Sequence, residues 1–385
     1  MRKIILILFF AALIGTRFKV APGVAWSDFF CVPLVLYVLM NLRQLSLKRN
    51  IVARVSVVYS IILLLSGLLN GTITNTVYLN FTRIFIEGVI VFLSLLLAIK
   101  DNKDIRLFFV LFVIYTVTFL IYSRDSVASS AEAYDNFQML DIQGGRNGMA
   151  VTSLLITAML TFFALFISIQ HRKLVYILFP FLIFNIIFSA SRFSVISLGL
   201  LGAVVFYLMR DKLSFKSIVF YVLAISALVY FVNIIMSGIS SGVMDFSSEL
   251  LENKLSENED GGISYRINDL NIKVIAQWLE STPGYLLFFG DGRSITHGVF
   301  SFTFCCTGII GFLYFVSTHI KMIVEFWKKD KIGKYISTVI LLFFLNDIAT
   351  NSRFIIGVNN LLYMGILAFI YVYDRVNTES QQVRL

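Results

Sequence analysis

Six arginines and one histidine are the residues of this sequence best suited to chemistry. They stand near the ends of apolar segments or in the polar stretch between two of them, at Arg83, Arg146, Arg192, Arg266, Arg293, Arg353 and His297. Arginine presents a planar fork of N–H donors that matches the oxygens of a phosphate or pyrophosphate. A charge within a bilayer costs about 2.5–3.5 kcal/mol on insertion scales, so such residues are candidate site residues. A histidine beside them is a candidate general base.

The segment Gly261–Phe315 contains the element that must position several of these groups. Apolar residues recur from Ser264 at the spacing of one helix face, which predicts an amphipathic helix that ends at Pro283-Gly284. Tyr265 and Arg266 lie in its first turn. We expect this helix to lie along the membrane surface or to cap a cavity.

A glycine-rich turn follows that helix. Gly290 and Gly292 flank Asp291, and glycines permit a tight turn. The turn predicts that Arg293 and His297 lie where the chain re-enters the bilayer.

The composition indicates a polytopic membrane protein. Of the 385 residues 58% are hydrophobic and 14% are charged, and the mean hydropathy is +0.84. A soluble domain of this size has no interior for so much apolar surface. The net charge of +9 is explained by basic cytoplasmic loops, so we expect no nucleic-acid partner.

The predicted fold is all-α, a single transmembrane domain over residues 1–385 with about twelve membrane-spanning helices and one large external loop at 237–297. The predicted spans are 4–16, 25–42, 52–70, 76–99, 104–123, 148–170, 173–190, 192–209, 215–236, 298–320, 334–349 and 354–373. Most Lys and Arg residues fall on the side of the two termini, which predicts that both termini are cytoplasmic.

Several of these residues also have a structural explanation. Arg83 could pair with Glu87 four residues later, and Arg353 could be an interfacial anchor or pair with Asp347.

His171 and His319 lie near predicted cytoplasmic helix ends and are assigned no role. The three cysteines lie in apolar runs and are interpreted as packing residues. Three aromatic residues could stack on sugar rings, although each could equally be a packing residue: Tyr134, Trp278 and Tyr285.

The order of these motifs resembles the O-antigen polymerase and O-antigen ligase superfamily. The resemblance is carried by Tyr265-Arg266 with the amphipathic helix, Pro283, Gly290-Asp-Gly292, His297, Thr307-Gly-Ile-Ile-Gly-Phe312 and Ser191-Arg192-Phe-Ser. It covers nearly the whole chain in topology. Gly298 follows the histidine where ligases often carry Asn.

The resemblance implies a GT-C-like glycosyltransferase of the bacterial inner membrane that works at the periplasmic face. Its substrates would be undecaprenyl-pyrophosphate-linked oligosaccharides, and membrane lipids would surround it. A chain-length regulator and a flippase of the same pathway would be its partners. Arg192 and Arg266 would stabilise the departing pyrophosphate, and His297 would be the base. The remaining candidates, Arg83, Arg146, Arg293, Arg353, Tyr265, Gly290 and Gly292, would bind substrate.

No cofactor or metal is expected, because the sequence contains no nucleotide-binding loop and no convincing metal cluster. Two alternatives stay open. One is an O-antigen ligase, which uses the same donor but transfers polysaccharide to lipid A core. The other is a twelve-helix carrier such as a lipid-linked sugar flippase, for which charges near mid-membrane and symmetry between the halves would be expected.

Overall fold

The computed structural model describes residues 1–16, 18–21, 24–45, 50–71, 76–132, 145–167, 172–188, 192–210, 272–282, 284–290, 299–350 and 357–382. This part of the chain is helical apart from one short two-stranded ribbon. Its α-helices are α1 Arg2–Gly15, α2 Trp26–Met40, α3 Ile51–Leu69, α4 Thr76–Ala98, α5 Asn102–Glu132, α6 Gly145–Phe166, α7 Arg172–Phe188, α8 Arg192–Met209, α9 Val274–Ser281, α10 Leu286–Phe289, α11 Val299–Trp327, α12 Lys331–Thr350 and α13 Gly357–Gln382.

The helices coincide with the predicted spans to within a few residues at most boundaries. Eleven of the twelve predicted spans contain a helix, and the remaining one, 215–236, lies outside the described residues. Within the described residues, four stretches are long and apolar enough to cross a membrane: Ile51–Leu69, Asn102–Ser123, Gly148–Phe166 and Thr303–Trp327. The structure thus supports a helical membrane protein.

One element differs from the all-α prediction. Strands β1, Lys19–Ala21, and β2, Val24–Ala25, pair antiparallel, with Lys19 opposite Ala25. The N–H of Trp26 extends this ribbon by donating to the Phe18 carbonyl at 3.0 Å. The ribbon joins α1 to α2 and satisfies backbone groups between two apolar helices.

The contacts of the chain divide into two units, Met1–Leu111 with Gly261–Leu385, and Phe112–Asp260. In the first unit, α4 packs against α1, α2, α3 and α13, and α11 packs against α3 and α12. Helices α4 and α13 approach closely because Gly88 leaves space for the Asn360 side chain. The Asn360 amide donates to the Ile84 carbonyl at 2.6 Å.

A polar network marks the end of the first unit where α1 begins and α4 ends. Arg2 contacts Asp101 at 3.2 Å and Asp104 at 2.9 Å. The Tyr37 hydroxyl donates to the Leu97 carbonyl nearby. The ribbon, the start of α2 and the start of α4 therefore lie at the opposite end of this unit.

In the second unit, α6 is the most buried helix and packs against α7 and α8. Phe163 of α6 meets Phe112 of α5 edge to face, with ring centroids 5.7 Å apart. The Asn185 amide of α7 donates to the Ser123 hydroxyl of α5 at 3.0 Å. This hydrogen bond pairs two buried polar groups of neighbouring helices.

Candidate functional site

The structure describes four of the ten predicted site residues. Arg83 and Gly290 belong to the first unit. Arg146 and Arg192 belong to the second unit, where they lie at the N-terminal ends of α6 and α8, and only their backbones are described. The other six lie outside the described residues: Tyr265, Arg266, Gly292, Arg293, His297 and Arg353. The convergence of Arg192, Arg266 and His297 around one cavity stays a prediction.

Arg83 of α4 is held by an aspartate that the sequence analysis did not single out. Its Nη1 atom lies 3.0 Å from Oδ2 of Asp28, in the first turn of α2. Its Nε atom lies 3.6 Å from Oε1 of Glu87, the neighbour predicted from the i, i+4 spacing. The Arg83 side chain is 31% exposed, so the two carboxyl groups do not enclose it completely.

Asp28 also fixes the end of the ribbon. Its Oδ2 atom accepts the Ala25 backbone N–H at 2.8 Å as well as the Arg83 guanidinium. Oδ1 of Asp28 is buried and receives no hydrogen bond from the described N–H and O–H groups. Cys31, one turn later, is buried and free. The sequence signal for this cluster was the carboxylate within the apolar run Trp26–Met40, because a charged group in a membrane-spanning segment indicates a candidate site.

The glycine-rich turn begins at a backbone crossing between α10 and α11. Gly290 follows α10 with φ 75°, and Gly308 interrupts α11 with φ 65° and ψ −170°. A Cβ on Gly290 would overlap the backbone of Cys306 and Thr307, and one on Gly308 would overlap the backbone of Phe288 and Phe289. Only glycine fits either position, because both the space and the positive φ exclude a side chain.

Two polar side chains at the C-terminal end of α3, Ser66 and the C-cap Asn70, satisfy the carbonyls that this crossing leaves outside the regular helices. The Ser66 hydroxyl donates to the Phe289 carbonyl at 2.7 Å and also contacts the Cys306 carbonyl. The Asn70 amide donates to the Gly290 carbonyl at 2.6 Å and to the Ser66 carbonyl at 2.9 Å. Non-helical backbone beside a membrane is tolerated where protein groups satisfy it, and α3 supplies them here.

Described residues flank segment 291–298, which contains Arg293 and His297 and itself lies outside the described residues. Gly290 precedes it and is buried against α11. Phe300 follows it, and its ring packs edge to face on Phe312 at 5.7 Å and lies 5.9 Å from that of Phe344. The residue before the segment thus lies beside the C-terminal end of α3, and Phe300 after it packs on rings of α11 and α12.

The second half of the predicted amphipathic helix is present as α9, which ends before Pro283. Trp278 is 5% exposed and meets Phe304 edge to face at 5.4 Å. A sugar ring cannot stack on so buried an indole, so the stacking hypothesis is wrong for Trp278. Tyr285 is exposed, and Tyr134 lies outside the described residues.

His319 is more deeply buried than its predicted place near a helix end indicated. It lies in α11, its Nδ1 atom is 2.8 Å from the Phe315 carbonyl, and its ring stacks on Phe344 at 5.2 Å. It lines a cavity of about 30 Å³ between α3, α4, α11 and α13, together with Ser56, Tyr59, Asn360 and Tyr363. A buried histidine inside a helix bundle could not be told from an interfacial one by sequence spacing alone.

Comparison with known proteins assigns no family to the chain. No family model matches it, and a search of curated proteins finds no match. Its function is therefore inferred from its own residues.

Proposed function

We propose that this chain is a glycosyltransferase that joins lipid-pyrophosphate-linked oligosaccharide repeat units at the outer face of the bacterial inner membrane. In this proposal it is a polymerase of O-antigen, capsular polysaccharide or exopolysaccharide. Both termini lie in the cytoplasm and the reaction takes place on the periplasmic side. A chain-length regulator and a flippase of the same pathway are its proposed partners.

One observation carries the proposal. Gly290, the residue before segment 291–298, accepts a hydrogen bond from the Asn70 amide at 2.6 Å and packs against the broken helix α11. Transfer between two bound sugars requires a base held in place, because misplacement of a reacting group by an ångström is costly. The packed positions of Gly290 and Phe300, on either side of the segment, support His297 as such a base.

The chemistry assigns a role to each group. A hydroxyl of the acceptor sugar attacks the anomeric carbon of the donor, and the bond from that carbon to the pyrophosphate oxygen breaks. His297 accepts the hydroxyl proton. Arg192 and Arg266 stabilise the negative charge on the departing lipid pyrophosphate. Arg83, Arg293, Arg353 and Arg146 assist in substrate binding.

Arg83 offers a bound anion a weaker positive potential than an arginine without acidic neighbours would. Asp28 and Glu87 offset it, so we assign it to orientation of the substrate rather than to stabilisation of the leaving group. Its exposed part is the surface that a sugar hydroxyl or phosphate oxygen would reach.

Deletion of the gene tests the proposal in cells and separates it from the alternatives. Loss of a polymerase leaves a single repeat unit on lipid A core or another carrier. Loss of a ligase leaves long chains on undecaprenyl pyrophosphate with none on the core. Loss of a flippase leaves single units on the lipid at the cytoplasmic face, where external glycosidases cannot reach them.

Complementation then tests the named residues. His297→Ala and Arg266→Ala should fail to restore long chains at normal protein levels. Arg43→Ala, at an exposed position on the predicted cytoplasmic side, should restore them fully. Restoration by His297→Ala would remove the histidine from the mechanism.

A further inference from the structure

Polar side chains from three helices line the cavity between α3, α4, α11 and α13. They are Ser56 and Tyr59 of α3, His319 of α11, and Asn360 and Tyr363 of α13. All five are buried. Buried polar groups in folded proteins are paired with protein groups or with ordered water. The cavity therefore lies where three helices bring hydrogen-bonding groups together.

The size of the cavity fits water. Its volume is about 30 Å³, and a buried water requires at least about 10–15 Å³ by the same measure. There is thus room for one or two water molecules. None of the described residues that line the cavity is an aspartate, glutamate, lysine or arginine. The lining therefore favours a small neutral molecule over an ion.

The orientation of His319 provides an acceptor for such a molecule. Its Nδ1 atom lies 2.8 Å from the Phe315 carbonyl. A carbonyl oxygen only accepts hydrogen bonds, so Nδ1 carries the proton, and Nε2 of the neutral ring is an acceptor. The imidazole packs against the rings of Phe315 at 4.2 Å and Phe344 at 5.2 Å. These contacts hold the ring in one orientation.

Side chains of α3 and α13 provide further hydrogen-bonding groups in fixed positions. The Tyr59 hydroxyl can donate and accept, and its ring meets that of Phe85 edge to face at 5.2 Å. The Asn360 amide donates to the Ile84 carbonyl at 2.6 Å, and its Oδ1 atom is an acceptor. A buried water typically makes about three hydrogen bonds, and the lining supplies enough donors and acceptors for them.

We propose that this cavity is a water-binding site, in which an ordered water bridges His319 of α11 to polar side chains of α3 and α13. The water donates one hydrogen to Nε2 of His319 and forms its other hydrogen bonds with the hydroxyl and amide groups of the lining. It thereby links three helices of the first unit through one molecule. The site is independent of the glycosyl transfer proposed above, because none of its residues is assigned a role there.

Solid-state NMR of the full-length protein in lipid bilayers tests this site. The chain contains three histidines, so labelling histidine with ¹³C and ¹⁵N gives three sets of ring signals. His171→Gln and His297→Gln each remove one set, which identifies the signals of His319 in the intact protein. We expect polarisation transfer from water protons to the His319 ring. Absence of this transfer in the wild-type protein would show a dry cavity and overturn the proposal.

Ser56→Val provides the second arm, because it removes a lining hydroxyl and places additional methyl volume in the cavity. Transfer to the His319 ring should then be lost. Ser60→Val is the matched control. Ser60 lies one turn later on α3 and outside the lining, and its hydroxyl donates to the Ser56 carbonyl, so transfer should persist. Equal transfer in wild type and Ser56→Val would overturn the proposal.

If Ser56→Val does not fold, a density map of the wild-type protein that shows ordered waters decides the question. A peak within hydrogen-bonding distance of Nε2 of His319 is the expected result. A cavity without density, or one filled by a side chain, would overturn the proposal.

Discussion

Gly290 and Gly308 pack backbone against backbone, each at a positive φ and each in a place that a Cβ would fill. This crossing joins the short helices α9 and α10 to the long apolar helix α11. It also holds Gly290, the residue before the segment that carries Arg293 and His297. Ser66 of α3 and Asn70, the residue after that helix, donate to the carbonyls of Phe289 and Gly290 and so complete the crossing.

Alanine at Gly290 or Gly308 should lower the free energy of unfolding by more than about 2 kcal/mol. The left-handed backbone costs an L-residue about 1–2 kcal/mol, and overpacking adds about 1–3 kcal/mol. Thermal unfolding in detergent measures the effect. Gly199→Ala is the control, because a Cβ there meets nothing within 4 Å in helix α8, and its stability should be unchanged or slightly higher. Equal stability of all three variants would show that the crossing is not close-packed.

Ser66→Ala should destabilise the protein by about 1–3 kcal/mol, because it leaves carbonyls of the crossing without a donor. Ser60→Ala, two turns earlier on α3, is the matched control. The Ser60 hydroxyl donates only to the Ser56 carbonyl of its own helix, so its removal should cost less than about 0.5 kcal/mol. Indistinguishable melting temperatures for the two variants would contradict the assigned role of Ser66.

Asp101 caps α5, and its contribution should depend on pH. Its Oδ1 atom accepts the N–H groups of Lys103 and Asp104. The Asp104 N–H, with the Lys103 N–H and Arg2 in support, lowers the pKa of the Asp101 carboxyl. A lowered folded-state pKa means that the stabilisation is present above the unfolded-state pKa and is lost as the pH falls through the folded-state pKa.

Asp101→Ala should therefore cost about 1 kcal/mol at neutral pH and progressively less in acid. Asp101→Asn keeps an acceptor at the cap without a titratable group, so its stability should be close to wild type at neutral pH. Parallel unfolding curves at neutral and acidic pH provide the comparison. A cost for Asp101→Ala that is the same at both would exclude the ionised cap.

Hydropathy predicted the positions of the helices well, because the length of an apolar run directly determines where a membrane helix can lie. Helix α8 begins and ends within a residue of its predicted span, Arg192–Met209. The end of α9 before Pro283 was also predictable, since proline disfavours a helical conformation in the residue before it.

Contacts between distant residues were not predictable. Asp28 and Arg83 are 55 positions apart, and no local pattern joins them. Gly308 lies in the apolar run Thr307–Phe312, whose pattern predicts a continuous helix, and its positive φ occurs where the backbone of Phe288 and Phe289 approaches it. Trp278 fits the apolar face of an amphipathic helix equally well whether that face meets protein or sugar.

The predicted topology can be tested by comparing the sides of the membrane on which the large loop and the C-terminus lie. Reporter fusions at Asn258, in the predicted external loop, and at the C-terminus should give opposite readings. The basis is the concentration of Lys and Arg on the side of the termini. The same reading at both positions would place the loop in the cytoplasm and exclude a periplasmic reaction.

The most direct test of the proposed function is the reaction of the purified protein with undecaprenyl-pyrophosphate-linked repeat units. We expect longer oligosaccharides and free undecaprenyl pyrophosphate, in the presence of a chelator and without nucleotides. Arg266→Lys should be nearly as inactive as Arg266→Ala, because an ammonium cannot bind phosphate oxygens in bidentate fashion, while Arg43→Ala should retain full activity. Wild-type protein that leaves the repeat units unextended, with Arg43→Ala equally folded, would contradict the assignment as a polymerase.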